Sequence, residues 1–346
     1  MKKNLLVLIF IPIISFSQNK TEAETKVSEG IELHDEGKYK EALNKYDEAL
    51  ALDKNNLFAL SEKAVTLETS QKYNEAIEIC KFVINTYPDK DIKTVYISYA
   101  NSLDHLKQPQ KALAVYDEGI KKFPNYYQLY FNKGIALINN KQQEKALESF
   151  QKSAKLNPNH KGSFNALAAL NSENKVISIL CSLRYLALDN KSQLAKSHLK
   201  SVLTLMNRGV TKKDDNSVNL SIDPSILDKA NNKKSKNNFS AADMVLSMTS
   251  ALDFDEKNKD KTDDQRFTDK LDSMFSTMEE TQKGQSGFYW EFLAPYFIEM
   301  RKQKLIEPFT YIAFSALPND NIIKNYKDNS EQIEQFYKWS ENYTWK

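Results

Sequence analysis

The stretch Gly37-Lys-Tyr-Lys-Glu-Ala-Leu-Asn-Lys-Tyr-Asp-Glu-Ala-Leu-Ala-Leu-Asp-Lys-Asn-Asn56 decides how the chain is read. It is rich in strong helix formers, and Ala42, Tyr46, Ala49, Leu50 and Leu52 recur at the spacing of one helix face. The pattern returns three times downstream. Its small residue falls at Ala42, Ala76, Ala112 and Ala146, in steps of 34, 36 and 34 residues. Four positions on stands a larger residue: Tyr46, Cys80, Tyr116 and Phe150. A closing proline follows as Pro88, Pro124 and Pro158, with Lys54 in its place in the first copy.

A second apolar-periodic stretch precedes each copy, so each period holds two helices. A period near 34 with small, large and proline positions at fixed offsets resembles the tetratricopeptide repeat. That resemblance implies an all-α solenoid of helical hairpins. The repeats run over about residues 23–56, 57–90, 93–126 and 127–160, with Asp91 and Ile92 as extra residues. Gly30 lies where two helices cross closely, and Ala64 takes that place in the second repeat. Phe164, Leu167, Ala168 and Leu170, followed by Val176–Leu188, form a degenerate fifth copy. Asn190 opens a further helix with Ala195, Leu199, Val202, Leu203 and Met206 on one face and Gly209 as its stop. A terminal helix over the last apolar face keeps a solenoid soluble, so the solenoid is expected to span 18–208.

Met1–Ser17 reads as a secretory signal peptide. Lys2 and Lys3 form a basic start, Leu5–Ile14 is apolar, and Ser15 and Ser17 supply small residues before Gln18. No later segment approaches the run of about 18 apolar residues that a membrane-spanning helix needs. The mature protein is therefore expected to be soluble and exported, to the periplasm or beyond the cell. Losing Lys2 and Lys3 from 48 basic residues balances the 46 acidic ones, which argues against nucleic acid as a partner. Cys80 and Cys181 stand three repeat lengths apart, too far for a disulfide in a stack.

Residues 209–239 are dense in Asn, Lys, Ser and Asp and read as a polar linker. Within them Val218, Leu220 and Ile222 before Pro224 suggest one short strand or docked segment. Residues 240–346 form a second, aromatic-rich helical module. Ser240 with Asp243, and Thr262 with Gln265, have capping-box spacing. Helices are expected over about 240–252, from 262, over 288–304 with a break at Pro295, over 307–316 and over 330–343.

No chemistry-bearing motif emerges. The histidines His34, His105, His160 and His198 do not pair at ligand spacing, and no phosphate-binding loop or nucleophile elbow is present. Gly284-Gln285-Ser286-Gly287 lacks the strand that a nucleophile turn requires. Asp253, Asp255 and Asp264 occupy calcium-loop positions, but Lys257, Lys259 and Lys261 oppose a cation there. No enzyme activity, cofactor or metal is expected. Phe288, Tyr289, Trp290, Phe292, Tyr296 and Phe297 are read mainly as core, since Phe288, Phe292 and Tyr296 share a helix face. An exposed glycan- or peptidoglycan-binding platform is the rival reading, and a non-catalytic subunit of an envelope enzyme complex is another.

The resemblance implies a concave face lined by the first helix of each hairpin, near repeat positions 2, 5, 9, 12 and 13. Those positions include Val27, Ile31 and His34; Phe58, Ser61 and Val65; Thr94, Ile97, Asn101 and His105; and Gln128, Phe131, Ile135 and Asn139. Family members that clamp a peptide carboxylate use lysine and asparagine where this chain has Val27 and Ile31. The departure points to a protein segment with apolar side chains, so the expected role is an interaction scaffold or adaptor. The linker is long enough for the C-terminal module to reach the groove instead.

Overall fold

The computed structural model describes residues 11–214, 217–221 and 235–345. Residues 1–10 of the expected signal peptide lie outside them, as do Ile222 and Pro224 of the apolar alternation. The chain divides into two compact units, Met1–Ser149 and Phe150–Lys346, whereas composition alone suggested a division at 209–239.

The first unit is a run of helices: α1 (Ile11–Asp35), α2 (Tyr39–Leu52), α3 (Leu57–Thr69), α4 (Tyr73–Thr86), α5 (Lys93–His105), α6 (Pro109–Lys122), α7 (Tyr127–Asn139) and the start of α8 (Gln143–Leu156). Each hairpin turns through one residue in the left-handed region: Gly37, Gln71, Lys107 and Lys141, at φ 77°, 64°, 59° and 57°. The turn closes the same way each time. Lys38, Lys72, Gln108 and Gln142 donate their amides back to Leu33, Leu67, Leu103 and Leu137 at 2.8–2.9 Å. This is the Schellman closure of a helix C-terminus, and it fixes the angle at which the second helix departs.

Ala42, Ala76, Ala112 and Ala146 are fully buried, as are Tyr46, Cys80 and Tyr116. They form the seam between the two helices of a hairpin and the next hairpin. The seam is tightest at Gly30, where an added Cβ would lie 2.4 Å from Cε1 of Tyr46. The first helices α1, α3, α5 and α7 also lie side by side.

The second unit holds the end of α8 and α9 (Lys161–Leu170), α10 (Lys175–Leu188) and α11 (Gln193–Met206). With them pack α12 (Ser240–Ala251), α13 (Asp263–Thr281), α14 (Ala294–Lys302), α15 (Ile306–Phe314), α16 (Asp320–Asp328) and α17 (Ser330–Glu341). The fifth hairpin and cap helix are present as α9, α10 and α11. Residues Lys175–Ala187 of α10 are buried on every side, as in a central helix rather than a surface one. It touches α9, α11, α12 and α15, which is why these elements form one unit. A helix over 320–328 was not expected. The kink or interruption expected at Pro295 takes the form of a π-helical stretch, Tyr289–Leu293, after which Pro295 sits in the first turn of α14.

Buried charges tie the unit together. Lys175 pairs with Asp243 and donates to Ser247 Oγ at 2.8 Å. That pairing corrects the expected Ser240/Asp243 capping box: Asp243 neutralises Lys175, and Asn238 Oδ1 accepts the Ser240 amide instead. At Thr262 the capping box does form. The Arg184 guanidinium donates to Pro158 O, Asn159 Oδ1 and Ser340 Oγ. It also lies 4.8 Å from the ring centroids of both Tyr296 and Trp345. Val218 and Leu220 belong to a strand, β2 (Ser217–Leu220), paired antiparallel with an unexpected β1 (Val210–Asp214).

Gly30→Ala is expected to lower the stability of the first unit by about 1–2 kcal/mol through overpacking against Tyr46. Alanine's better helix propensity, worth roughly 1 kcal/mol, does not offset it. A lower urea midpoint with an unchanged m-value is the expected result.

Candidate functional site

The first helices of the hairpins carry the residues expected to line a groove, and their exposure sorts them. Phe58 on α3 is 52% exposed and Ile135 on α7 is 42% exposed, as is Phe82 on the second helix α4, at 48%. Ile31, Val65, Ile97 and Phe131 are half-buried, as are Thr94 and Gln128. Val27 and Ser61 do not reach the surface. Val27 packs into the core with Ala23, Ala42 and Tyr46, and the buried Ser61 hydroxyl is spent on Leu57 O at 2.8 Å.

The polar members are held in place by neighbours. His34 Nδ1 lies 2.7 Å from Thr66 Oγ1 on α3. Asn101 accepts from the Tyr116 hydroxyl, and Gln128 from that of Tyr126. His105 stacks on Tyr73 with centroids 4.7 Å apart. Asn139 donates to Asp104 Oδ2 at 2.9 Å, linking α7 to α5. Four carboxylates were missed: Asp35, Glu62, Glu68 and Asp104. Glu68 and Asp104 share a repeat position with His34, and Asp35 shares one with His105, so repeat arithmetic carried the signal. Burial raises the Glu62 and Glu68 pKa values; Asp35 adds to the first, and a hydrogen bond with Asn101 opposes the second.

In the second unit a cavity of about 240 Å³ is lined by Asn165, Ser178, Ser182, Leu194, His198 and neighbours from α9–α11. His198 Nδ1 is 3.0 Å from Ser182 Oγ and Nε2 is 3.1 Å from Asn165 Oδ1. The order resembles a nucleophile, base and orienting amide. Burial, however, lowers the His198 pKa to about 4, which makes it a poor base. Ser182 is itself buried in mid-helix, where neighbouring amides are committed to the helix ladder. The group therefore serves as a satisfied polar core.

Phe288, Tyr289, Trp290, Phe292, Tyr296 and Phe297 are all buried. Trp290 stacks on Phe239 at 4.3 Å and donates to Asn238 O. Trp339, Tyr343 and Trp345 close over Tyr296 at 4.9–5.0 Å. The rings are core and offer no stacking platform for a glycan. The acids of the supposed calcium loop point to separate partners: Asp253 to Lys270, Asp255 to the Lys257 amide and Asp264 to Asn325. Among the described residues no group of three or more acidic, histidine or cysteine side chains is placed to hold a metal. Among them, too, no helix is long and apolar enough to cross a membrane.

Residues 26–161 match the family model described as the N-terminal tetratricopeptide repeat region of Psidin. That match supports reading residues 26–161 as tetratricopeptide repeats. No curated protein matches the chain. Among solved structures it is similar to TTC0263, a thermophilic tetratricopeptide repeat protein of Thermus thermophilus. That chain is 19% identical with a TM-score of 0.46, over 52% of this chain and 99% of that one. Pseudomonas aeruginosa PilF is 18% identical with a TM-score of 0.46, over 54% and 84%. The type IV pilus biogenesis factor PilW is 19% identical with a TM-score of 0.45, over 53% and 84%.

His198 gives a signed pH dependence. It takes up a proton near pH 6.5 when unfolded but only near pH 4 when folded. The unfolded chain thus binds more protons between those values. The contribution, up to about 3 kcal/mol, is complete above pH 6.5 and is lost as pH falls to 4. His198→Gln is expected to flatten the fall of unfolding free energy across pH 6.5–4, with His160, also lowered by burial, keeping a residual slope.

Proposed function

We propose that the protein is a non-catalytic interaction scaffold or adaptor of the bacterial envelope that binds a partner's protein segment along the first helices of its repeats. The observation that carries this is the exposure of Phe58 and Ile135 on the same helix faces as half-buried Val65, Ile97 and Phe131. About half of each of these side chains is left open to water rather than spent on the unit's own core. Covering the exposed half of such a side chain yields about 1 kcal/mol, so a segment laying apolar side chains across several first helices gains affinity from each. The envelope location rests on the Met1–Ser17 pattern alone. Cleavage there would leave α1 beginning near Gln18, and the domain reading remains a solenoid to 208 with a module from 240.

Phe58→Asp with Ile135→Asp tests the groove, because both side chains are exposed and the fold tolerates the change. In crosslinking capture from envelope extract, the partner retained by wild type is expected to be lost, or weakened at least about tenfold, with circular dichroism unchanged. Equal capture by wild type and variant sinks the groove reading.

A further inference from the structure

The first helices of the first unit end in carboxylates. Asp35, Glu68 and Asp104 lie in the last turns of α1, α3 and α5, and Glu62 stands further back on α3. A helix C-terminus is the negative end of the helix dipole, where an acid is unfavourable. The fold does not require acids there, since α7 ends in Ile138 and Asn139.

Among the described residues none of the four carboxylates forms an ion pair. The lysines of these helices are drawn elsewhere. Lys26 reaches Glu48 at 3.3 Å, Lys63 reaches Asp47 at 2.5 Å and Lys133 reaches Asp117 at 2.5 Å, all on second helices, while Lys93 reaches Asp91 at 2.7 Å. Asp104 receives amides from Asn139 and Asn140, which satisfy its hydrogen bonding but leave its charge.

We propose that the groove's occupant is a basic amphipathic segment of a separate protein. Its lysine or arginine side chains meet Asp35, Glu62, Glu68 and Asp104 while its apolar side chains cover Phe58, Val65, Ile97, Phe131 and Ile135. The proposal rests on the groove reading above and adds the partner's charge. Carboxylates without an ion-pair partner repel nucleic acid and anionic lipid and attract a cation brought beside them. The apolar strip supplies affinity, and the acidic ends set orientation and exclude acidic competitors.

The test uses the full chain and two fluorescent peptides that share an apolar pattern, one with Lys and Arg at its polar positions and one with Glu. Fluorescence anisotropy is expected to show the basic peptide binding about tenfold tighter or better. Asp35→Asn, Glu62→Gln, Glu68→Gln and Asp104→Asn together are expected to weaken it about tenfold, with an unchanged or higher thermal midpoint. Four results overturn the proposal: equal binding of both peptides, unchanged binding by the neutralised variant, no binding of either at about 100 µM, or a lower midpoint that marks the carboxylates as structural. Phe58→Asp with Ile135→Asp separates the two readings. If it abolishes basic-peptide binding while the neutralised variant binds normally, the groove reading survives and the charge assignment fails.

Discussion

The left-handed turn residue and the small-against-large seam that follows it fix everything else in the first unit. Each turn closes on a leucine carbonyl, which sets the direction of the second helix. The buried alanines then let that helix approach closely enough for Tyr46, Cys80 or Tyr116 to fill the gap. Once two hairpins stack this way, their first helices are neighbours whether or not their exposed faces contribute to stability. Exposed side chains such as Phe58 and Ile135 are thus freed from structural duty, whereas Val27 and Ser61 at neighbouring positions are not. Three of the four turn residues are not glycine and still adopt positive φ, so the closure holds them against their intrinsic preference.

The second unit solves a different problem. Its central helix α10 carries Lys175 and Arg184 into a region with little water. Lys175 has a carboxylate, whereas Arg184 has carbonyl and side-chain oxygens and two aromatic faces, and burial lowers its pKa. A planar, weakly hydrated guanidinium suits such a site, where an ammonium would not. The same closure seen in the repeats recurs between α14 and α15, where Lys304 takes a positive φ and Leu305 donates back to Met300. Helical hairpins of related geometry can thus build both halves without a shared repeat signature.

The repeats were legible because their determinants are local: a small residue, a large one and a proline at fixed offsets survive in one dimension. Exposure along the first helices was partly legible. Exposed Phe58 and Ile135 followed from repeat positions, but Val27 and Ser61 proved buried because the first two hairpins pack that position inward. Asp35, Glu68 and Asp104 share repeat positions with His34 and His105, whereas Glu62 falls outside those positions. The makeup of the second unit was not legible. Asn171 with Tyr289, Lys175 with Asp243 and Arg184 with Ser340 join residues with no periodic relation, and nothing in α10 alone says which elements surround it. The strand β1 was hidden because its Thr-Lys-Lys-Asp run looks like linker until β2 pairs with it.

The reach of the Arg184 clasp has a consequence for how the chain assembles. In the first unit, hydrogen bonds between hairpins join residues such as His34 and Thr66, or Asp104 and Asn139, separated by 32 and 35 positions. Arg184 and Ser340 are separated by 156. Closing the longer loop costs only about 1 kcal/mol more in entropy, but folding rates fall as contacts become less local. The first unit can therefore zip hairpin by hairpin while the second still searches for its closure. During that interval the apolar sides of α10 stand open to water, and the exposed Phe58 and Ile135 of the first unit are in place before the half of the chain that holds the buried arginine is complete.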